Sequence, residues 1–218
     1  MPFQNEKVRV LLPVDPHFDT PALAARNKEG KQTMRFQERE IVLKDGRTCI
    51  LKPTLPEYAE EMIAYMKKTA AETPWLLRYP DEVSLTPEGE REILGRLLED
   101  PQTVMMAAIV EGRVAGNSSI NGIGTKRKIR HRCSLAIALY RAYWGLGIGT
   151  AIIDYMSELA AQIGWHQMDL EVAAENTAAQ ALYRKCGFIE SGRRHHALLF
   201  DDGTYHDEVL MYKNLRRG

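Results

Sequence analysis

Three glycines at alternate positions, Gly145, Gly147 and Gly149, are the feature that most restricts how this chain folds. They follow an apolar segment typical of a β-strand and precede an amphipathic segment with helical periodicity. Glycine has no Cβ, so the backbone of such a turn can approach a ligand closely. The unpaired N–H groups at the start of the helix favour an anion such as a pyrophosphate. The turn therefore predicts either a strand–turn–helix unit that binds a phosphorylated ligand or a tight turn with a purely structural role.

Three phosphorylated ligands are compatible in principle with this turn. A dinucleotide fingerprint requires a third glycine where the chain has Thr150, although Asp169 follows at about the expected 20 residues. A nucleoside triphosphate loop requires a lysine before serine or threonine, and this turn contains no lysine. The pyrophosphate of coenzyme A is the third possibility, and the turn alone does not decide among them.

The remaining predicted elements follow an irregular order. A hairpin surrounds Asp45 and Gly46, a helix begins at Thr86, and Thr177 and Gln180 have the spacing of a capping box. Helices are predicted at 56–68, 87–99, 148–163 and 176–186, and further strands at 103–110, 114–123, 133–140, 168–172, 188–200 and 206–212. This order predicts a mixed α/β (α+β) fold, in which strands and helices do not alternate regularly.

The length of 218 residues fits one large domain or one domain with an appendage. Residues 1–35 are predicted to be an N-terminal extension, in which Val8–Val14 has the composition of a short strand and 13–21 that of a loop. Residues 36–218 are predicted to form a single domain.

Charge and cysteine content exclude several classes of protein. Lys plus Arg and Asp plus Glu are equal at 29 each, so neither nucleic acid nor an anionic membrane is an expected partner. The basic stretch 126–132 is more typical of a solvated loop between strands than of a patch that binds phosphate or an acidic substrate. Three scattered cysteines favour neither a disulfide framework nor a zinc site. No segment resembles a signal peptide or has the roughly 20 apolar residues of a bilayer span, so we expect a cytoplasmic protein.

A second motif follows the glycine turn. Residues 176–188 read Asn-x-x-Ala-x-x-Leu-Tyr-x-x-x-Gly-Phe. In this order and at this distance, 139–150 and 176–188 resemble the acetyl-CoA-binding motifs of the GNAT superfamily of N-acetyltransferases. The likeness covers 101–213, and 49–100 fits the family's first strand and two helices. It implies a mostly antiparallel central sheet flanked by helices, with a splayed parallel strand pair, in a GNAT domain at 36–218.

The resemblance implies acetyl-CoA as co-substrate. Its pantetheine arm would lie in the wedge between the strand ending at Tyr140 and the strand at 170–173, and its pyrophosphate would lie on the amides of the glycine turn. Trp144 departs from the arginine or glutamine that the family often has, and we interpret it as a variation in the turn that retains binding. The residues implied to bind acetyl-CoA are Leu139, Tyr140, Arg141, Gly145, Leu146, Gly147, Ile148, Gly149, Thr150, Asn176, Ala179 and Tyr183.

Two residues are predicted to carry the proton transfers of amide formation. The resemblance implies that Tyr183 protonates the departing thiolate as general acid, and the alternative is an aromatic side chain that only packs on Phe188. Glu171 lies in a Leu-Glu-Val run. This run resembles the strand of ribosomal-protein N-terminal acetyltransferases in which the glutamate acts as the base. Asp169 and a bridging water are the alternatives for the base, and a solvated Glu171 is an equal interpretation.

Metal binding is not predicted. His195 and His196 are adjacent on a predicted strand, so their side chains point to opposite faces, and no cysteine lies near them. The hairpin at 193–206 and the long loop at 72–82 are instead predicted to form the two walls of the amine site.

The sequence therefore predicts an acyl-CoA-dependent N-acetyltransferase in which a primary amine attacks acetyl-CoA directly. No cysteine has an activating neighbour, so no covalent enzyme intermediate is expected. The acceptor is a small-molecule amine or a protein amino group, and a homodimer is common in the resembled family. A noncatalytic module that binds or senses acyl-CoA is the alternative, and the presence of Tyr183 favours the enzyme.

Overall fold

The computed structural model describes residues 24–26, 32–34 and 36–216. The predicted strand at Val8–Val14 and the loop at 13–21 lie outside these residues. The strands are β1 (Ala24–Arg26), β2 (Gln32–Met34), β3 (Arg39–Val42), β4 (Thr48–Pro53), β5 (Thr103–Val110), β6 (Arg113–Gly122), β7 (Arg132–Leu139), β8 (Gln167–Ala173), β9 (Ile189–Leu199) and β10 (Tyr205–Asn214). The α-helices are α1 (Ala59–Glu72), α2 (Pro87–Glu99), α3 (Ile148–Ile163) and α4 (Thr177–Lys185).

Eight of the strands form one sheet in the order β3-β4-β5-β6-β7-β8-β10-β9. Each neighbouring pair is antiparallel except β7 and β8, which are parallel. The predicted mixed, mostly antiparallel sheet is therefore confirmed. The small antiparallel hairpin of β1 and β2 lies within the predicted extension, where the sequence indicates no such pairing.

The parallel strands separate after a short paired segment. They pair only at Arg132↔Gln167, Cys133↔Met168 and Ser134↔Asp169. Beyond these positions β7 pairs with β6 as far as Leu139, and β8 pairs with β10 as far as Ala173. The wedge between them leaves main-chain polar groups that a ligand can bind. The predicted splay of the parallel pair is confirmed.

Side-chain alternation along β8 gives the sheet two chemically different faces. Met168, Leu170 and Val172 are buried in one core together with α3 residues such as Ile152 and Met156. Because successive residues of a strand point to opposite faces, positions 169 and 171 face away from α3.

Helices α1 and α2 cover the second face over the first strands of the sheet. Ala59, Met62 and Leu94 are buried there with Ala107 and Val114. Positions 169 and 171 of β8 therefore point to the side of the sheet on which α1 and α2 lie. No helix of the described residues has the length and apolar character that crossing a membrane requires.

Tyr65 joins α1 to the splayed end of β7. Its hydroxyl donates to the carbonyl oxygen of Ala138 at 2.7 Å and accepts from the backbone N–H of Asn117 at 3.1 Å. The side chain is 4% exposed, and its hydroxyl uses both its donor and an acceptor lone pair to tie α1 to β6 and β7.

Tyr65→Phe is expected to lower the free energy of unfolding by about 1–3 kcal/mol, because it removes the two hydrogen bonds of a buried hydroxyl, each worth about 0.5–1.5 kcal/mol. Urea unfolding measures this change. Tyr205→Phe, at a tyrosine that is 58% exposed, is the control and should change stability by less than about 0.5 kcal/mol. Equal stabilities of the two variants would contradict the assigned role of Tyr65.

Candidate active site

The wedge between β7 and β8 opens into a cavity of about 1000 Å³. Its lining includes Gly147 and Lys185 on the side of α3 and α4, and Trp75 and Glu171 on the side of α1. The cavity therefore passes through the sheet. Of the predicted site residues, those that line it are Leu139, Gly145, Gly147, Gly149, Thr150, Glu171, Asn176, Ala179 and Tyr183, and those that do not are Tyr140, Arg141, Leu146 and Ile148.

The glycine turn has the backbone conformation that its composition predicts. Gly145 and Gly147 have φ values of 76° and 101°, a backbone conformation that residues other than glycine rarely adopt. A Cβ built at either position meets no atom within 4 Å, so both glycines face open space. Gly149 differs, because its Cβ would lie 3.0 Å from Cδ2 of Leu182, and a small residue is needed there for α3 to pack against α4.

The start of α3 supplies unpaired donors to the cavity. Gly147 is its N-cap residue, with no side-chain cap. The first N–H of α3 that forms a main-chain hydrogen bond is that of Ala151, which donates to the carbonyl oxygen of Gly147 at 3.1 Å. The preceding amides, at 148–150, have no acceptor in the part of the chain that the structure describes. Together with the positive end of the helix dipole, they form a site for an anion.

Two lysines add positive charge to the cavity. Lys44 lines the cavity. The backbone N–H of Lys44 donates to the carbonyl oxygen of Leu146, in the glycine turn, at 3.2 Å. Lys185 lines the cavity from the last residue of α4. The charge of these residues suits a phosphorylated ligand.

The end of β7 is held by two side chains. The indole N–H of Trp144 donates to the carbonyl oxygen of Leu139 at 2.9 Å, and the N–H of Arg141 donates to the Glu72 carboxylate at 2.7 Å. The carbonyl of Leu139 retains a second lone pair for a ligand. The N–H of Arg141 can donate to a ligand only after its hydrogen bond to the Glu72 carboxylate is broken. The Trp144 side chain thus hydrogen-bonds the main chain of β7. This contact gives the indole a structural role in a turn where it cannot make the polar contact to phosphate that arginine or glutamine makes.

Asn176 begins α4. Its side-chain oxygen accepts from the N–H of Ala179 at 3.2 Å, so it is the N-cap residue. The predicted capping box of Thr177 and Gln180 is wrong, because the Gln180 amide instead donates to the carbonyl oxygens of 173 and 174. That contact ties α4 to the end of β8 and fixes one edge of the cavity.

Tyr183 lines the cavity from α4 while its ring is 9% exposed. The ring packs on Phe188 with centroids 5.8 Å apart, so the predicted packing contact is present. No described residue hydrogen-bonds its hydroxyl, which is therefore available to a ligand. Burial raises the pKa of Tyr183 to about 12, because the tyrosinate is poorly solvated there. The phenol consequently stays protonated at physiological pH.

The two candidate bases on β8 are bound to arginines of β7 and β9. Asp169 accepts from Nε of Arg132 at 2.8 Å and from the Gln167 amide at 2.6 Å. Glu171 accepts from Arg194 at 2.8 Å, and both of their side chains are 51% exposed. Glu171 is therefore more accessible and less constrained than Asp169, and both line the cavity.

Glu208 is a cavity residue that the sequence analysis does not identify. It is 6% exposed and accepts from Nη1 of Arg194 at 2.6 Å. Val209 and Met211 are in the core with α3, so the alternation of β10 points Glu208 to the opposite face. That alternation is visible in the sequence, whereas the pairing of β10 with β8 that brings Glu208 beside the wedge is not.

The histidines of the last hairpin bond to other residues of that hairpin. No group of three or more metal-binding side chains occurs in the described ranges. His195 and His196 lie at a bulge opposite Asp207, where His196 has a φ of 52°. Asp207 accepts from the backbone of His196 at 2.9 Å and contacts Nδ1 of His195 at 3.0 Å. These histidines therefore shape the hairpin.

The two segments predicted as walls touch each other. The Tyr79 hydroxyl accepts from the N–H of Asp201 at 2.9 Å. The ring centroids of Trp75 and Phe200 are 6.3 Å apart, and those of Phe200 and His206 are 4.1 Å apart. The loop after α1 and the β9–β10 hairpin therefore meet beside the cavity, which Trp75 lines.

Comparison with known sequences identifies one family. The model described as "Acetyltransferase (GNAT) family" matches residues 60–188. A mycothiol acetyltransferase from Clavibacter sepedonicus is 33% identical over 92 residues, which are 42% of this chain and 29% of that protein. The chain thus covers less than a third of that relative's length.

Solved structures share the fold. A GNAT-family acetyltransferase from Streptococcus pneumoniae has a TM-score of 0.72 and 26% identity, over 76% of this chain and 99% of that one. The protein yncA from Salmonella typhimurium, solved with its cofactor acetyl-CoA, has a TM-score of 0.67 and 14% identity, over 77% of this chain and 94% of that one.

Proposed function

Because the chain belongs to the acetyltransferase (GNAT) family, we propose that it transfers the acetyl group of acetyl-CoA to a primary amine in the cavity between β7 and β8. The observation that carries the proposal is a passage through the sheet with an anion site at one end and carboxylates at the other. The acceptor is a small-molecule amine or a protein amino group. The names of the Clavibacter and Salmonella proteins agree with acetyl transfer and with acetyl-CoA as donor.

The glycine turn fits the pyrophosphate of acetyl-CoA. The open space beside Gly145 and Gly147 is where a Cβ would otherwise stand. The free amides at 148–150 supply donors, and Lys44 and Lys185 supply positive charge. The free edges of β7 and β8 fit the amide groups of the pantetheine arm. These residues bind and orient the co-substrate, whose thioester supplies the activated acetyl group.

Tyr183 is the proposed general acid. Transfer forms a C–N bond and breaks the C–S bond, so the sulfur leaves as a thiolate that needs a proton. A buried phenol with no hydrogen-bond partner among the described residues has that proton available at physiological pH. Tyr183 then regains a proton from the nitrogen, which becomes an amide.

Glu171 is the proposed base. An amine arrives largely as its ammonium ion and must lose a proton before its lone pair can attack. The Glu171 carboxylate lines the cavity and is half exposed, so it can accept this proton directly or through water. Asp169 is less suited, because Arg132 and Gln167 already occupy its oxygens. Overall, one ammonium and one thioester yield one amide, one thiol and one released proton.

Thermal unfolding with acetyl-CoA, NAD and ATP tests the donor. Acetyl-CoA at a hundred times its dissociation constant is expected to stabilise the fold by about 2.7 kcal/mol, and the other two ligands should give no comparable shift. Release of free thiol on addition of amines then measures transfer. A shift with NAD or ATP but not with acetyl-CoA would contradict the proposal.

A further inference from the structure

Glu208 is a buried carboxylate inside the cavity. Its residue is 6% exposed, and it lines the same space as Tyr183 and Glu171. Burial of a carboxylate is unfavourable unless a positive group or hydrogen-bond donors compensate it. Among the described residues, the compensating group is the guanidinium of Arg194. A buried carboxylate that faces a cavity is a favourable site for a cationic group of a ligand.

Arg194 does not neutralise the carboxylates around it completely. One guanidinium bonds Glu208 at 2.6 Å and Glu171 at 2.8 Å. Two negative charges therefore share one positive charge. The third cavity carboxylate, that of Asp169, has its own partner in Arg132. These five side chains together carry a net charge of about −1 at neutral pH.

The negative charge lies on the side of the sheet opposite the cofactor turn. Glu208 and Glu171 point away from α3, on adjacent paired strands. Lys44 and Lys185 lie with the glycine turn and α4. The cavity is therefore polarised, with its positive end suited to a pyrophosphate and its negative end suited to a cation.

We propose that Glu208, together with Glu171, binds the ammonium group of the acceptor and selects cationic amines that carry no carboxylate of their own. This inference rests on the proposed function and names the class of acceptor. A carboxylate accepts several hydrogen bonds, so Glu208 can hold an ammonium while it remains bonded to Arg194. An acceptor with a carboxylate, such as a free amino acid, meets repulsion from both glutamates. Di- and polyamines gain from each cationic group that reaches this end.

Calorimetric titration of the full chain saturated with coenzyme A tests the selection. The probes are 1,4-diaminobutane and 4-aminobutanoate, which have similar length and differ in the charge of one end. The wild type is expected to bind the diamine at least about tenfold more tightly than the amino acid. Glu208→Gln should weaken diamine binding by about tenfold or more and leave the affinity for coenzyme A unchanged.

Glu190→Gln is the matched control. It removes a carboxylate of β9 that pairs with Arg184 at 3.4 Å, on an exposed surface outside the cavity lining. It should bind both probes like the wild type. Diamine binding in Glu208→Gln that equals the wild type, or a wild type that binds both probes equally or neither probe, would overturn the inference.

A second variant keeps the test decisive if Glu208→Gln does not fold. Arg194→Gln removes a half-exposed guanidinium and leaves both glutamates to the ligand, so diamine affinity should rise severalfold. A fall in affinity would overturn the inference. Acetyl transfer is assayed separately. Diamine binding without transfer would support the acceptor class and contradict the proposed function. Transfer without preference between the two probes would support the proposed function and contradict the acceptor class.

Discussion

Tyr183→Phe is expected to lower kcat by about a hundredfold or more while the dissociation constant of acetyl-CoA stays within about twofold of the wild type. The variant removes the proton donor for the leaving thiolate and retains the ring that packs on Phe188. Steady-state assays of thiol release and calorimetry with coenzyme A measure the two quantities. Because burial raises the pKa of Tyr183 to about 12, the phenol is protonated throughout pH 7–9, and the deficit should be constant over that range.

Tyr155→Phe is the control for this variant. Tyr155 is a buried tyrosine of α3 whose hydroxyl donates to the backbone of Gln37, and it does not line the cavity. Its loss should affect stability and leave turnover unchanged. A Tyr183→Phe enzyme with full activity would remove Tyr183 from the mechanism. A protein that binds acetyl-CoA but acetylates no amine in either form would favour the alternative of a noncatalytic acyl-CoA-binding module.

The fold could be predicted largely because local patterns determine its elements. Thr86 and Gly164 mark helix ends in the sequence and mark the same ends in the structure. The alternation of 168–172 identifies which face of β8 is buried. The splay of β7 from β8 was available only through the family resemblance, because no local pattern specifies where parallel strands stop pairing.

The acceptor end of the site was less predictable. Glu208 is an ordinary strand residue in the sequence, and its importance arises from the register of β10 against β8, which is a long-range property. The pairing of Arg194 with both Glu171 and Glu208 has the same origin. The assignments of Tyr183 and Glu171 to catalysis remain predictions, as do the boundary of the N-terminal extension and the homodimer.

Gly145→Leu is expected to abolish most of the stabilisation by acetyl-CoA. Gly145 has a φ of 76° and faces open space, so a leucine would be strained by about 1–2 kcal/mol and would also project toward the proposed pyrophosphate site. If the dissociation constant rises about a hundredfold, the stabilisation at a fixed concentration falls from about 2.7 to about 0.4 kcal/mol.

Gly112→Leu separates the two effects of that substitution. Gly112 lies in the β5–β6 turn with the same φ of 76°, its Cβ would also meet nothing within 4 Å, and it does not line the cavity. Both variants should therefore lose similar stability in the absence of ligand. Only Gly145→Leu should lose the response to acetyl-CoA, which thermal unfolding with and without the ligand measures. A Gly145→Leu protein that acetyl-CoA still stabilises fully would show that the pyrophosphate lies elsewhere. The equal φ of the two glycines makes Gly112→Leu the reference for the effect of the substitution on the backbone.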